Sequence, residues 1–361
     1  MTPARLAFVR RRGQTSQLVV TAALLLAAGG CLAHHGPSTQ FDLSQTIRLS
    51  GVISGTQWIN PHAYVHLDVP RQNGTVERWR CEMRAAAALN RSGWSENLFS
   101  PGAQINIEGA PAGDDQFACY VRALSISNGP RLLRYEQLGD GEETFDSSAR
   151  PAVLSNGQPN ISGTWAAPQR LSQPGESRRR PVIGYDLEQS AAGKALSASF
   201  DRVRDNPEYY CGAVNIIRDW TYDQLVNRID QTDDTISLNY GFMDVVRTIY
   251  LDKREHPQDL PPSRTGHSIG HWEDNTLVVD TVGFAAGILD ARRGILHSDQ
   301  LHVVERFEFD PDNQSLVRHY RGEDPLHLAA PFESRDVVFL TSAPFEPYNC
   351  QDPAAINSDL D

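Results

Sequence analysis

Between Gly266 and Phe284 the chain reads GHSIGHWEDNTLVVDTVGF, with His267 and His271 four residues apart and Glu273 two further on. On a helix, two histidines at this spacing share a face and can hold a zinc ion. Here the flanking residues read as strand, with Gly266, Gly270 and a tight EDN turn. Four residues of strand span about 13 Å, too far for one metal ion without a sharp bulge. What remains is one strand face carrying His267, Ile269, His271 and Glu273. Its polarity suits either acid–base chemistry or a half-exposed surface.

Neighbouring segments place charges where burial is expected. In MDVVRTIYLD one face is Val245, Arg247, Ile249 and Leu251; in LHVVERFEFD one face is Leu301, Val303, Glu305, Phe307 and Phe309. Each apolar face holds a single charge, and a lone buried charge is so costly that each needs a partner. Asp280, between Val278 and Val282, is read in the same way. His297 and Asp299, in LHSDQ, precede the Glu305 strand. Two functional readings follow. In the first, Arg247 holds the polar or anionic handle of a small, largely apolar molecule, and Asp280 and Glu305 orient it. In the second, His267 or His297 works against Asp280 or Glu305 as a cofactor-free lyase, isomerase or hydrolase. A structural ion-pair network in a core would use Arg247 and Glu305 equally well. There is no nucleophile elbow, phosphate loop, dinucleotide fingerprint or CxxC pair.

The elements that must position these residues are mostly strands. TIRLSGVISGTQW, AYVHLDV and GTVERWRCE, then a helical stretch from Ala85 to Leu98 broken near Gly93, then PGAQINIEG and FACYVRALSI, give three strands, a helix and two strands. That is the order of a five-stranded OB-like barrel. Residues 136–160 are polar and rich in Gly, Pro and Ser, and read as a linker. ISGTW opens the second domain, residues 184–203 read as helix, and about eight strands follow, from QLVNRID to SRDVVFLT. Turn signals such as QTDD, EDN and PDNQ separate them, as in a lipocalin-like antiparallel β-barrel. The expected class is therefore all-β with minor helices. Its parts are an export segment (1–33), an OB-like domain (34–135), the linker, a barrel domain (161–352) and a tail (353–361).

The first thirty-odd residues carry Arg5, Arg10, Arg11 and Arg12, no acid, and the apolar run LVVTAALLLAAGG. That pattern is an export signal, and the run is short for a membrane span. Cleavage at AAGGC would leave a lipidated Cys31, a membrane anchor. Cleavage after Ala33 would leave His34 as the amino terminus. The amine and ring of His34, with one of His35, His62 or His66, could then bind copper. His62 and His66 lie about 13 Å apart on a strand, so at most one joins. Four cysteines remain after export, enough for two disulfides in an oxidising compartment. Cys81–Cys119 and Cys211–Cys350 keep each bridge inside one expected domain. Removing four arginines moves the formal charge from −12 to −16, which argues against nucleic-acid binding.

The segments AHHG, GVISGTQWINPHAYVHLDV, RSGW and PGAQINIEG resemble an uncharacterised family of exported bacterial domains. HPQDLPPSRTGHSIGHWEDNTLVVDTVGF, HSDQLHVVERF and PYNC are similar to a companion region of such proteins. The resemblance implies export, periplasmic or cell-surface, and two β domains, with no activity attached. This chain has NCQD where relatives often have Cys-His-Glu.

Overall fold

The structure is a computed structural model that describes residues 40–113, 115–138, 150–167, 186–201 and 204–351. The expected export segment, with Cys31, His34 and His35, and the tail from 353 onward lie outside the described residues. Both barrels fall within one compact unit, His34–Asp361.

The first barrel is built from β1 (Ile47–Gln57), β2 (Tyr64–Pro70), β3 (Val76–Glu82), the short helix α1 (Ala86–Arg91), β4 (Gln104–Pro111) and β5 (Ala118–Ile126), with a two-residue strand β6 (Leu132–Leu133) at its margin. Strand order β3-β2-β1-β4-β5, closed by β3 on β5, makes it a five-stranded barrel. The alternation read from the sequence is what closes it. Leu49, Ile53, Val65, Leu67, Ile105, Ile107 and Val121 all turn inward to one core. β3 and β5 run parallel, and Cys81 sits opposite Cys119 across that seam, where the two are bridged. The helical stretch expected over Ala85–Leu98, broken near Gly93, is a short α-helix, Ala86–Arg91, followed by a 3₁₀ turn, Glu96–Phe99. Gly93 separates them at φ +76°, and a Cβ there would strike the Leu138 carbonyl.

The second barrel comprises β7 (Gly163–Ala166), the helix α2 (Ala191–Ser197), β8 (Val226–Gln231), β9 (Thr235–Asn239), β10 (Val246–Tyr250), β11 (His267–Glu273), β12 (Thr276–Val282), the hairpin β13 (Gly287–Asp290) and β14 (Ile295–His297), then β15 (His302–Asp310), β16 (Ser315–Glu323) and β17 (Phe332–Leu340). Nine strands close in the order β10-β11-β12-β15-β16-β17-β7-β8-β9. The expected all-β class and second barrel of about eight strands are borne out, with two details added. ISGTW supplies the ninth strand, and β10 meets β11 in parallel. The reason for the second is the long connection, residues 251–266. It crosses back over the barrel, where a hairpin would have reversed direction at once. The interior is filled by large side chains, among them Trp165, Trp220, Tyr240, Phe307 and Phe332. Trp220 stands on a 3₁₀ turn, Asp219–Gln224, and packs edge-on against Tyr240 at 5.1 Å.

A C-terminal strap joins the two barrels. Asn60 donates to the Tyr348 carbonyl at 2.5 Å and accepts from the Gln351 amide at 2.9 Å. Tyr348 packs with Ala85, Ala88, Leu225 and Phe242 in a small core drawn from both barrels. Asp244 accepts from the Tyr348 and Asn349 amides. The Cys211–Cys350 bridge, spanning 139 residues, pins the strap to the second barrel. Closing so long a loop restricts the unfolded chain strongly. Replacing Cys211 and Cys350 by Ser should therefore lower stability by roughly 2–5 kcal/mol in denaturant titration. Limited proteolysis should then cut first within residues 343–351. An unchanged midpoint with an intact strap would contradict this role.

Candidate functional site

Alternation and pairing decide which side of the second barrel each chemical group occupies. Opposite one another across β12 and β15 lie Leu277 and Phe307, Val279 and Glu305, Thr281 and Val303. All face inward, with Arg247 and Ile249 of β10 and Ser268 of β11. Arg247, Glu305 and Arg318 are 1%, 0% and 0% exposed. They form one chain of charges. Arg247 donates to Glu305 at 2.5 Å, to Ser268 Oγ at 2.9 Å and to Thr281 Oγ1 at 2.8 Å. Arg318 donates to the other Glu305 oxygen at 3.1 Å and to both oxygens of Asp336. It also donates to the carbonyls of Ile216 and Ile217, tying the segment that carries Trp220 into the barrel. Burial pushes the Glu305 carboxyl up, but the two guanidinium groups overcome it and hold the group below the usual range. The Tyr240 phenol beside them is pushed up to about 12 by burial, against the pull of Arg247.

Asp280 is not among these residues. It lies on the outer face of β12 at 39% side-chain exposure, because β12 carries valines on both faces and only the pairing with β15 settles its register. A different set of partners meets it there. His256, from the crossing segment, places Nε2 2.9 Å from Asp280 Oδ1; His302, at the start of β15, places Nε2 2.9 Å from Asp280 Oδ2. His267 brings Nδ1 to 2.8 Å from His256 Nδ1, and its ring stacks on Tyr250 at 5.2 Å. His302 Nδ1 also faces Glu323 Oε1 at 3.5 Å. The half-buried outward residues Ile269, Val278, Val282 and Val304 form apolar shoulders around Asp280.

Two ring nitrogens 2.8 Å apart share a single proton, since two N–H groups cannot point at each other. Asp280 only accepts when ionised, so His256 carries its proton on Nε2. His256 Nδ1 then accepts from His267 Nδ1–H, a tautomer assigned from the hydrogen-bond network. His267 Nε2 is left with a lone pair that no hydrogen bond among the described residues uses. Burial first, and His256 second, lower the His267 pKa, so its ring is neutral near pH 7.

The other sequence candidates lie elsewhere. His297 is buried on β14, with Nδ1 2.9 Å from the Ser298 carbonyl. Burial lowers its pKa, partly offset by that hydrogen bond. His271 and Glu273 contact each other at 3.2 Å on the exposed face, where Glu273 also pairs with Arg306. His62 belongs to the first barrel, beside Glu82. The site thus joins His267 and Asp280 through His256 and adds His302, two residues that sequence reasoning had not singled out. His302 could have been found, because an inward Glu305 puts residue 302 outward. His256 lies in an irregular segment that carries no periodic signal.

Residues 22–119 match the model of a family of unknown function, DUF6152. No curated protein matches the chain. Among solved structures, a variant of the fluorescent protein UnaG matches at 14% identity, covering 51% of this chain and 97% of that one, with a TM-score of 0.24. A similarity that low carries no argument about fold or function.

The buried charges generate a stability prediction. Glu305→Leu removes Arg247's carboxylate and half of Arg318's pairing, and should cost roughly 3–5 kcal/mol in denaturant titration. Adding Arg247→Met should recover much of the loss, because Arg318 keeps Asp336 and two carbonyls. Losses that simply add would contradict the pairing. Because Glu305's folded pKa is lowered, its stabilisation is present above the usual Glu range and is lost as pH falls through the folded value.

Proposed function

We propose that this protein is an exported, cofactor-free acid–base enzyme acting on a small molecule at the outer rim of its second barrel. His267 Nε2 is the base. His256 and Asp280 form the relay that orients the ring and holds its Nδ1 proton, so that Nε2 keeps its lone pair. His302 fixes the second oxygen of Asp280. The observation that carries this reading is the Nδ1-to-Nδ1 contact braced by Asp280. The contact fixes the ring with Nε2 outward and its lone pair unused, and a general base needs that orientation. The apolar shoulders around Asp280 suit a partly apolar substrate with one acidic C–H or O–H bond, which fits a lyase, isomerase or hydrolase.

The interior charges support this choice over an interior ligand site. Arg247 and Glu305 pair with each other and bond Arg318, Ser268 and Thr281 within a core of aromatic rings, and Arg247 Nη1 alone of these guanidinium nitrogens has no hydrogen bond among the described residues. The export segment expected from the sequence and two disulfides, which suit an oxidising compartment, support a location outside the cytoplasm. Among the described residues no helix is long and apolar enough to cross a membrane.

The test is substrate discovery with a built-in control. Small molecules extracted from the producing cell envelope are incubated with the wild-type protein, His267→Ala and Asp280→Asn, and followed by mass spectrometry. The wild type should convert at least one compound, and each variant should lose roughly 10²–10⁴-fold in kcat with an unchanged melting temperature. Activity should fall as pH drops through the lowered His267 pKa, with a midpoint below about 6.5. No conversion by the wild type, or equal kcat in the variants, would end this reading.

A further inference from the structure

The first barrel carries a hollow that the proposed chemistry does not use. It lies on the outer side of β2 and β3, has a volume of about 500 Å³, and is lined by Asp68, Val76, Glu77, Arg78 and Phe117. Strand alternation builds it. Leu67 and Val69 turn into the core, so Asp68 between them turns out. Trp79 turns in, so Arg78 beside it turns out. Asp68 and Arg78 stand opposite one another in the β2–β3 register.

Opposite charges so placed ordinarily join across the strands. Here no ion pair joins them among the described residues. Asp68 Oδ1 is buried and takes no hydrogen bond among the described residues. Arg78 is exposed, with its guanidinium at the hollow. A buried carboxylate oxygen without a donor calls for an explanation in terms of a further ligand or water.

The far wall is fixed. Phe117 stands edge-on to Trp79 at 5.7 Å, and Trp79 donates its Nε1–H to Glu77 Oε2 at 3.0 Å. Arg71 donates to the same oxygen. Glu77 is therefore occupied, and Asp68 and Arg78 are the groups placed to bind. Val76, 58% exposed, continues the apolar margin that Phe117 begins.

The charges select the ligand. An anion suits Arg78 but is repelled by Asp68, and a cation meets the reverse. A neutral molecule that both donates and accepts satisfies the two together. Adjacent hydroxyl groups do this, one donating to Asp68 and its neighbour accepting from the forked guanidinium of Arg78. An aromatic and apolar wall with a few placed polar groups is the usual make-up of a small-molecule site. A sugar ring matches both parts, with hydroxyls at its edge and C–H bonds on its face.

We infer that this hollow is a binding site for a neutral saccharide. Asp68 and Arg78 hold neighbouring hydroxyls, and Phe117 supplies the apolar wall. No bond is made or broken there, and the site stands apart from the histidine cluster of the second barrel.

The test titrates neutral trisaccharides of glucose, galactose, mannose and N-acetylglucosamine into the full exported chain, followed by saturation-transfer magnetic resonance and calorimetry. At least one should bind. Asp68→Asn and Arg78→Gln should each weaken it by about tenfold or more, since each removes a hydrogen bond to a charged group. Phe117→Ala should weaken it as well. Arg78 is exposed, so Arg78→Gln should melt as the wild type does, and it decides the question alone if Asp68→Asn does not fold. Glycine and arginine, a zwitterionic and a cationic probe, should not displace the sugar. No binding of any of these trisaccharides, full affinity in Arg78→Gln, or displacement by either amino acid would overturn the proposal.

Discussion

Four charges inside one barrel, Arg247, Glu305, Arg318 and Asp336, set the constraint on which the second domain depends. Each would be very costly alone in an apolar interior, and together each has an opposite charge within 3.1 Å. Their partners come from β10, β15, β16 and β17, with hydroxyls from β11 and β12. Satisfying them therefore fixes the register of six of the nine strands. Arg318 extends the constraint to the segment carrying Trp220, through two backbone carbonyls.

That internal requirement builds the outer site. Side chains alternate along a strand, so an inward Ser268 places His267 outward, an inward Thr281 places Asp280 outward, and an inward Glu305 places His302 outward. A one-residue slip in any of these strands would unpair a buried charge or hydroxyl and dissolve the histidine cluster at once. The only member not set by register is His256, which the crossing segment delivers from above. The same crossing allows β10 and β11 to lie in parallel. The relay is thus a consequence of the core, and its precision derives from charges it never touches.

Much of this was legible in the residues. Five strands around one helix announced the first barrel, because apolar residues alternate cleanly from Ile47 onward. Eight of the second barrel's strands were visible for the same reason. The inward faces of Arg247 and Glu305 followed from Val245, Ile249, Val303 and Phe307 beside them. What was hidden has physical causes. Β7 is only four residues long, and the β13–β14 hairpin is no longer, too short for a periodic signal. Asp280 sits on a strand with Leu277 and Val279 on one face and Val278 and Val282 on the other, so alternation could not choose its side. His256 lies among prolines and charges with no repeat at all. Half of the outer cluster was therefore in view, and the other half depended on chain crossing and on pairing between distant strands.

The central claim is that the core's register holds His267 where the crossing segment brings His256, so that the two rings share a single proton. Nitrogen-15 magnetic resonance of the histidine rings tests it directly. Near neutral pH the account predicts that His256 carries its proton on Nε2 and His267 on Nδ1, with a through-bond coupling between the two Nδ1 atoms. It also predicts that His267 protonates at a lower pH than a solvent-exposed ring. Two rings in the Nε2–H form, uncoupled and titrating independently near about 6.5, would contradict it.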